Sequence, residues 1–469
     1  MMKKIIIIWL SLTFFYGIAI FPECQIRKEA LTFDTISRKN YIKPIYQILS
    51  YNVLINRFDY YVKKVPWADV NPSIWWLNIN QGFMTDGDAF FTNWMGHPFQ
   101  GSLAFNAARM NGLGFYESAP YVIGHTLLWE YFAETEPPSI IDLYSTTFGG
   151  IYLGEITYRI TDYAWNHPSK YKNLRFRKIM GGLINPVAAV NRWALGKNLS
   201  FSPQSLTPMK LSLNAGLVNR FDLPSEDKII SGQRLGVELS YGNILDPDQS
   251  HYNAFDLFSI NSWVTNVKHY NTGMSKMYFN FQSDAIMLGK KYKSQSSSVI
   301  ITSLGQQFDY IHNDRYKLGN IALTGEVSLA KMSDDLKFLL AAKLGVIIYG
   351  SSSSEAVKPI HPEIFKNFNR DYLYGHGLML KTESNIDLKK MGVMGLKYNL
   401  YRIISKENPV GHKNVSLIYA AYDVPIYQNL NLGIRYDIYN SSSKFKDSGE
   451  YFQAQERYND LSLLFVIKF

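Results

Sequence analysis

Leu461-Ser462-Leu463-Leu464-Phe465-Val466-Ile467-Lys468-Phe469 is the stretch that decides the fold. Leu461, Leu463, Phe465, Ile467 and Phe469 occupy alternate positions, so an extended chain projects all five from one face. A strand with five apolar residues on one side needs a continuous apolar surrounding for that side. A sheet packed on a core supplies one, and so does lipid.

Upstream, the same period of two reaches back to about Thr207. Residues 209–221, 231–242, 254–267, 275–289, 296–309, 318–332, 335–350, 372–386, 391–405, 413–425, 429–441 and 459–469 read as strands, about twelve in all, each near the length of a tilted membrane strand. Leu235, Val237, Leu239 and Tyr241 share a face opposite Arg234, Glu238 and Ser240, and Leu430, Leu432, Ile434 and Tyr436 oppose Asn431, Arg435 and Asp437. Connections near Ser333-Asp334, Leu388-Lys389 and Tyr427-Gln428 are tight, whereas 351–371 and 442–458 are long, the asymmetry of a barrel with short inner turns and long outer loops. The 243–253 connection is the exception. A soluble sandwich fits less well than an antiparallel transmembrane barrel over 208–469. The final strand also resembles the signal by which outer-membrane insertion machinery captures its clients, which makes that machinery an expected partner through Phe469.

Before the barrel the period is helical. Gly101 to Leu113 reads as one helix after His97-Pro98. Ser118 caps a second that runs to Glu134, and Ser139 opens a third that reaches Asp162. Each carries a charge in its middle (Arg109, Glu130, Glu155), and none has the ~20 apolar residues of a spanning helix. The expected fold class is therefore α+β: a helical domain at 75–165, a linker at 166–207, then the barrel. A lead segment covers 25–74. Lys3, Lys4 and the uncharged run Ile5–Ile20 read as a secretory signal over 1–24, removed on export to a bacterial outer membrane. Cys24 is the chain's one cysteine, so no internal disulfide forms.

Composition agrees with this reading. Tyr 33, Phe 28 and Trp 9 give an aromatic share of 15% in 469 residues, and such rings suit membrane–water interfaces. Mean hydropathy is -0.13, the near-zero average of alternating strands. The net charge of +9 is scattered, with no basic stripe to track nucleic acid; anionic lipid and lipopolysaccharide are the expected partners.

The segment 97–159 resembles a family of bacterial envelope proteins known as domain of unknown function 3943. The resemblance rests on His97-Pro98, Gly101, Asn106, Arg109, Asn111-Gly112, Trp129-Glu130, Glu134, Asp142, Gly149-Gly150, Gly154-Glu155 and Tyr158-Arg159. This chain has Gly124-His125 where Gly-Ser is expected and Ile141-Asp142 where Asn-Asp is, so His125 is a poor candidate for a role shared with the family. The resemblance implies no activity.

Physically, Glu130 and Glu134 lie one turn apart, as do Asn106 and Arg109. The Gly149-Gly150-x-x-x-Gly154 run lets another backbone approach. His97, Arg109, Glu130, Glu134, Asp142 and Glu155 thus form a candidate polar cluster. It is either a buried structural network, a catalytic site with His97 as acid or base and Arg109 holding an anion, a metal site, or a site that binds a ligand without chemistry. No His-x-x-x-His, Gly-x-Ser-x-Gly or phosphate-loop pattern supports a metal, a serine nucleophile or a nucleotide, and no cofactor is expected. His376, between Gly375 and Gly377, marks a strand kink. A barrel of this width is expected to be too wide for its side chains to fill completely, so the helical domain could occupy the lumen or cap its periplasmic mouth. The inward charges Glu238, Glu326, Lys381, Glu383, Arg435 and Asp437 then call for a helical plug in the lumen. Three functions compete: a plugged channel or lipid-handling barrel, an outer-membrane enzyme acting on lipid or lipopolysaccharide, and a structural or adhesive barrel whose interest would lie in the loops 351–371 and 442–458.

Overall fold

The computed structural model describes residues 39–166, 174–195, 207–223, 229–246, 248–268, 275–293, 298–313, 316–333, 335–353, 371–406, 410–447 and 450–469. The secretory signal and Cys24 lie outside the described residues. The chain divides between Thr207 and Pro208 into a helical unit and a barrel unit.

The helical unit contains α1 (Lys43–Phe58), α2 (Pro72–Gln81), α3 (His97–Arg109), α4 (Phe115–Phe132), α5 (Ile140–Tyr144), α6 (Gly150–Asn166), α7 (Leu174–Ile184) and α8 (Pro186–Leu195). Local chemistry sets several of these starts. The Asn71 side chain accepts from Ser73 N and Ile74 N to open α2, and Ser139 Oγ accepts from Asp142 N to open α5. Ser118 is not the cap of α4. The helix begins earlier, where the Glu117 carboxylate accepts from Gly114 N at 2.7 Å, and Ser118 sits inside it, donating to Gly114 O. The third expected helix is two, separated by a π turn at Ser145–Gly149. That irregular turn lies against α3: a Cβ on Gly101 would sit 2.2 Å from the Thr146 carbonyl oxygen and 3.0 Å from Gly150 Cα. The glycines therefore bring α3 and α6 into backbone contact, as the run at 149–154 leads one to expect.

Two segments hold more structure than expected. The stretch read as a linker contains α7 and α8, and α7 is tied to the end of α6 by one side-chain bond from each helix. Arg177 Nε donates to Ala164 O at 2.8 Å, and Lys178 O accepts from Trp165 Nε1 at 3.0 Å. The lead segment contains α1, and α2 begins before position 75.

The barrel is a closed ring of twelve antiparallel strands in sequence order: β1 (Met209–Leu223), β2 (Ile229–Tyr241), β3 (Phe258–Lys268), β4 (Ser275–Lys293), β5 (Ser298–His312), β6 (Lys317–Met332), β7 (Lys337–Ser353), β8 (Tyr372–Asp387), β9 (Val393–Ser405), β10 (Val410–Tyr427), β11 (Leu430–Asp447) and β12 (Glu450–Lys468). β12 closes on β1, with Leu463 opposite Leu217 and Phe469 exchanging both backbone bonds with Leu211. Most strands outrun their expected limits. The 442–458 segment is not a loop, since β11 and β12 pair from Leu430–Ile467 to Asp447–Glu450. Its Ser, Lys, Gln and Glu residues hid a strand that rises past any apolar band. Opposite Gly375 and Gly377, β7 shifts register between Ile347 and Gly350, a bulge next to His376.

Alternation sends Leu217, Leu304, Leu344, Leu463 and Phe465 outward, all exposed. Tyr292 and Tyr427 lie outside near the tight-turn end, and Phe221 and Tyr451 near the other. An apolar band between aromatic rims on an edgeless barrel is a surface made for lipid.

The lumen is crossed by its own side chains, which leave small cavities between them. Toward the tight-turn end, charges pair across the interior: Lys381 with Asp309 at 2.9 Å, Arg234 with Asp437 at 2.6 Å and Lys343 with Asp284 at 2.7 Å. Glu383 pairs with Lys397, Glu326 accepts from Thr324, and Arg435 lies between Asp423 and Glu238. Toward the other end, Tyr316, Leu318, Ile347, Tyr401, Leu417, Tyr439 and Tyr458 pack into one apolar cluster. Tyr316 stacks on Tyr439 at 3.7 Å, and Tyr439 on Tyr458 at 4.7 Å. The inward charges find partners on neighbouring and facing strands. The large Tyr, Arg and Lys side chains reach farther than an estimate from strand number allows.

Candidate functional site

The six candidate residues fall into two groups. Arg109, at the last turn of α3, meets Glu155 on α6 through two bonds of 2.8 and 3.1 Å, and its third nitrogen donates to Leu113 O. Arg159, four residues on from Glu155, donates to the same carboxylate at 2.8 Å. The Arg109 guanidinium also lies 4.0 Å from the Tyr158 ring centre. Glu155 is fully buried with both oxygens occupied, so this group holds α3 to α6.

The second group gathers around His97, the first residue of α3, which continues from a π turn at Thr92–Gly96 and donates its backbone N–H to Thr92 O. His97 Nε2 lies 3.3 Å from Asp142 Oδ1 on α5 and 3.6 Å from Asp88 Oδ2 in the segment leading to α3. Glu130, near the end of α4, accepts from Ser139 N at 2.7 Å. Glu134, just past that helix, accepts from the Trp129 indole. Asp86 accepts from the Ser139 hydroxyl and, at 3.0 Å, from Asn93 Nδ2. Five carboxyl groups thus surround one imidazole; His97, Glu130 and Asp142 are buried, while the Asp88 side chain is 44% exposed.

Such crowding moves protons. Burial, reinforced by Asp142 and Glu134, raises the Glu130 carboxyl well above its usual range. Burial with Asp86 and Glu134 does the same to Asp142. Burial pushes Glu134 up to about 7, against the pull of His97 and the indole bond. Burial opposes charge on His97, but the nearby Asp88 carboxylate and the field of Glu134 and Glu130 raise it. Like charges this close share protons rather than ionise together. The arrangement can hold a proton near neutral pH and pass it to solvent at Asp88. Among the described residues no group of three or more His, Cys, Asp or Glu is placed to hold a metal ion.

Asp86, Asp88 and Arg159 complete these groups and were not among the expected residues. Arg159 was legible from its spacing to Glu155, and an Asp-Gly-Asp just ahead of a polar helix start is the trace that Asp86 and Asp88 leave in the sequence.

Residues 82–187 match the family model described as domain of unknown function (DUF3943). No curated protein matches the chain. Among solved structures, the chain is similar to outer membrane phospholipase A from Escherichia coli, at 10% identity over 54% of this chain and 89% of that one, with a TM-score of 0.27. It is also similar to the COG4313 outer membrane channel from Pseudomonas putida F1, at 5% identity over 57% and 100%, TM-score 0.30. A third is the outer membrane channel DcaP of Acinetobacter baumannii, at 10% identity over 56% and 97%, TM-score 0.22. Likeness at this level says nothing of what this barrel does. Within the helical unit, residues 82–187 are similar to the family described as domain of unknown function (DUF3943), and the chain runs on from them into a twelve-strand barrel.

Proposed function

We propose that this is an outer-membrane protein whose barrel, closed by its own side chains, anchors in lipid a helical domain that handles lipid at the membrane surface. The observation that carries the reading is the occluded lumen: a stack of Tyr316, Tyr439 and Tyr458 above a layer of paired charges. An apolar constriction expels water, and ions do not cross a dry one. The outward leucines and aromatic rims support the lipid setting. Refolded protein in planar bilayers is expected to be electrically silent, and replacing all three tyrosines by alanine is expected to produce conductance. Steady conductance from the intact protein overturns the closed-barrel reading.

A second reading, an enzyme modifying lipid or lipopolysaccharide, is favoured by one feature: a buried imidazole between two carboxylates, one of which reaches solvent. His97 would act as acid or base, with Asp142 orienting it and Glu130 and Glu134 buffering its proton. Its test is lipid turnover by the wild type against His97→Ala; equal turnover removes it.

A further inference from the structure

A second feature of the helical unit lies away from His97. Between α1 and α4 runs an open groove lined by Ile45, Ile48, Pro120, Gly124, His125 and Leu128. It exists because α4 carries little side chain there: a Cβ placed on Gly124 would meet nothing within 4 Å. His125 lines the groove and is buried, yet neither ring nitrogen has a hydrogen-bond partner among the described residues, and the nearby Tyr51 hydroxyl has none either. A buried polar group without a partner is costly, so these atoms mark a place where a ligand's polar end is welcome.

The surroundings narrow the occupant. Ile42, Tyr46, Leu49 and Val53 stand exposed along one stripe of α1 at helical spacing, and Tyr116 and Trp76 are exposed too, Trp76 at 68%. α1 contains Lys43 and Arg57 and no Asp or Glu, and Lys63 and Lys64 follow it. An apolar stripe with aromatic residues and basic ends is the pattern of a helix that lies in the headgroup layer of an anionic bilayer.

We infer that the α1–α4 groove receives an acyl chain of an anionic phospholipid, with α1 resting on the leaflet that supplies it. This rests on the barrel being embedded in lipid. The apolar lining takes the chain, His125 meets its ester end, and Lys43 and Arg57 face the headgroups.

The test uses the full chain in nanodiscs of phosphatidylglycerol doped with an analogue that carries a photoactivatable diazirine in its acyl chain, with adducts mapped by peptide mass spectrometry. Adducts are expected in 43–58 and 115–132, and they should fall about tenfold in Gly124→Phe, which fills the groove, and in Ile45→Trp, at a position 47% exposed. Gly124→Phe is expected to fold, since the site is open and glycine is the poorer helix former. Outward strands such as 298–312 are labelled in every variant and report lipid embedding. Barrel adducts without groove adducts, or groove adducts unchanged in both variants, overturn the inference and leave the barrel reading standing. Absence of barrel adducts overturns both.

Discussion

Gln282 on β4 donates a 2.8 Å hydrogen bond to the Tyr419 hydroxyl on β10, and these strands lie six places apart in the ring of twelve. Opposite walls of the barrel touch. Trp263 on β3 packs edge-on to the same Tyr419 ring, so the bridge is a packed layer rather than one contact. The interior of this barrel is therefore a core, with the energetics of a core.

One consequence concerns Asp309, which is fully buried and accepts from Lys381, Asn320 and Tyr401. Asp309→Asn should cost about 3–5 kcal/mol in urea unfolding of the lipid-embedded barrel, because it leaves the Lys381 ammonium without its counter-charge. Adding Lys381→Met should recover much of that. A loss below about 0.5 kcal/mol would show that the layer is wet and unimportant.

The outer face predicts the opposite chemistry. Leu304, mid-strand on β5 and 59% exposed, should tolerate lysine at little cost if it met water. Facing lipid, Leu304→Lys should lower barrel stability by about 2–4 kcal/mol, read from the same unfolding curves.

The helix crossing at Gly101 and Gly150 leaves no room. Gly101→Ala sets a methyl 2.2 Å from a backbone carbonyl and should destabilise the helical unit by at least about 1–3 kcal/mol. Gly124→Ala, in open space on α4, should be neutral or gain up to about 1 kcal/mol. Thermal unfolding followed by far-UV circular dichroism distinguishes the two.

Acidity should stabilise the helical unit across the neutral range. Glu134 titrates at about 7 in the folded chain against 4.5 unfolded. Between those values the folded state keeps a proton that the unfolded state has lost. Its contribution is full below pH 4.5 and disappears as pH rises through 7. Glu130, Asp142 and His97, all raised, carry the same sign. His125, which burial lowers to about 3, opposes them as pH falls below 6.5. The melting temperature should be higher at pH 5.5 than at pH 8, and Glu134→Gln should shrink that difference by roughly 2–4 °C. A pH-independent melting temperature would contradict the proton-sharing cluster.

What was readable in the sequence was what repeats. Leu235, Val237 and Leu239 announce a strand because alternation is local, and the Gly149–Gly154 spacing announces a close crossing for the same reason. The 442–458 strands were missed because Ser, Lys, Gln and Glu break the alternation there, leaving Phe445 and Phe452 as scattered inward apolar residues. α7 was missed because Arg177 and Trp165 earn their places through carbonyls of a different helix. Glu155 with Arg159 was a matter of counting four. That Arg109 and His97, on one helix, serve different groups was not readable, since it depends on which neighbours α5 and α6 bring to each end of α3.

The seam between β1 and β12 is bound by Arg220 and Asp460, 240 positions apart in the chain. No other barrel hairpin waits on so distant a partner, because each remaining strand finds its neighbour directly before or after it. Closing that seam therefore carries the largest loop entropy in the barrel and should be its slowest step. Until it closes, β1 and β12 are two open edges, each able to pair with a stranger. Transit to the membrane is the interval in which this protein is most exposed to aggregation, and an escort that shields strand edges would matter more to its yield than any gain in final stability.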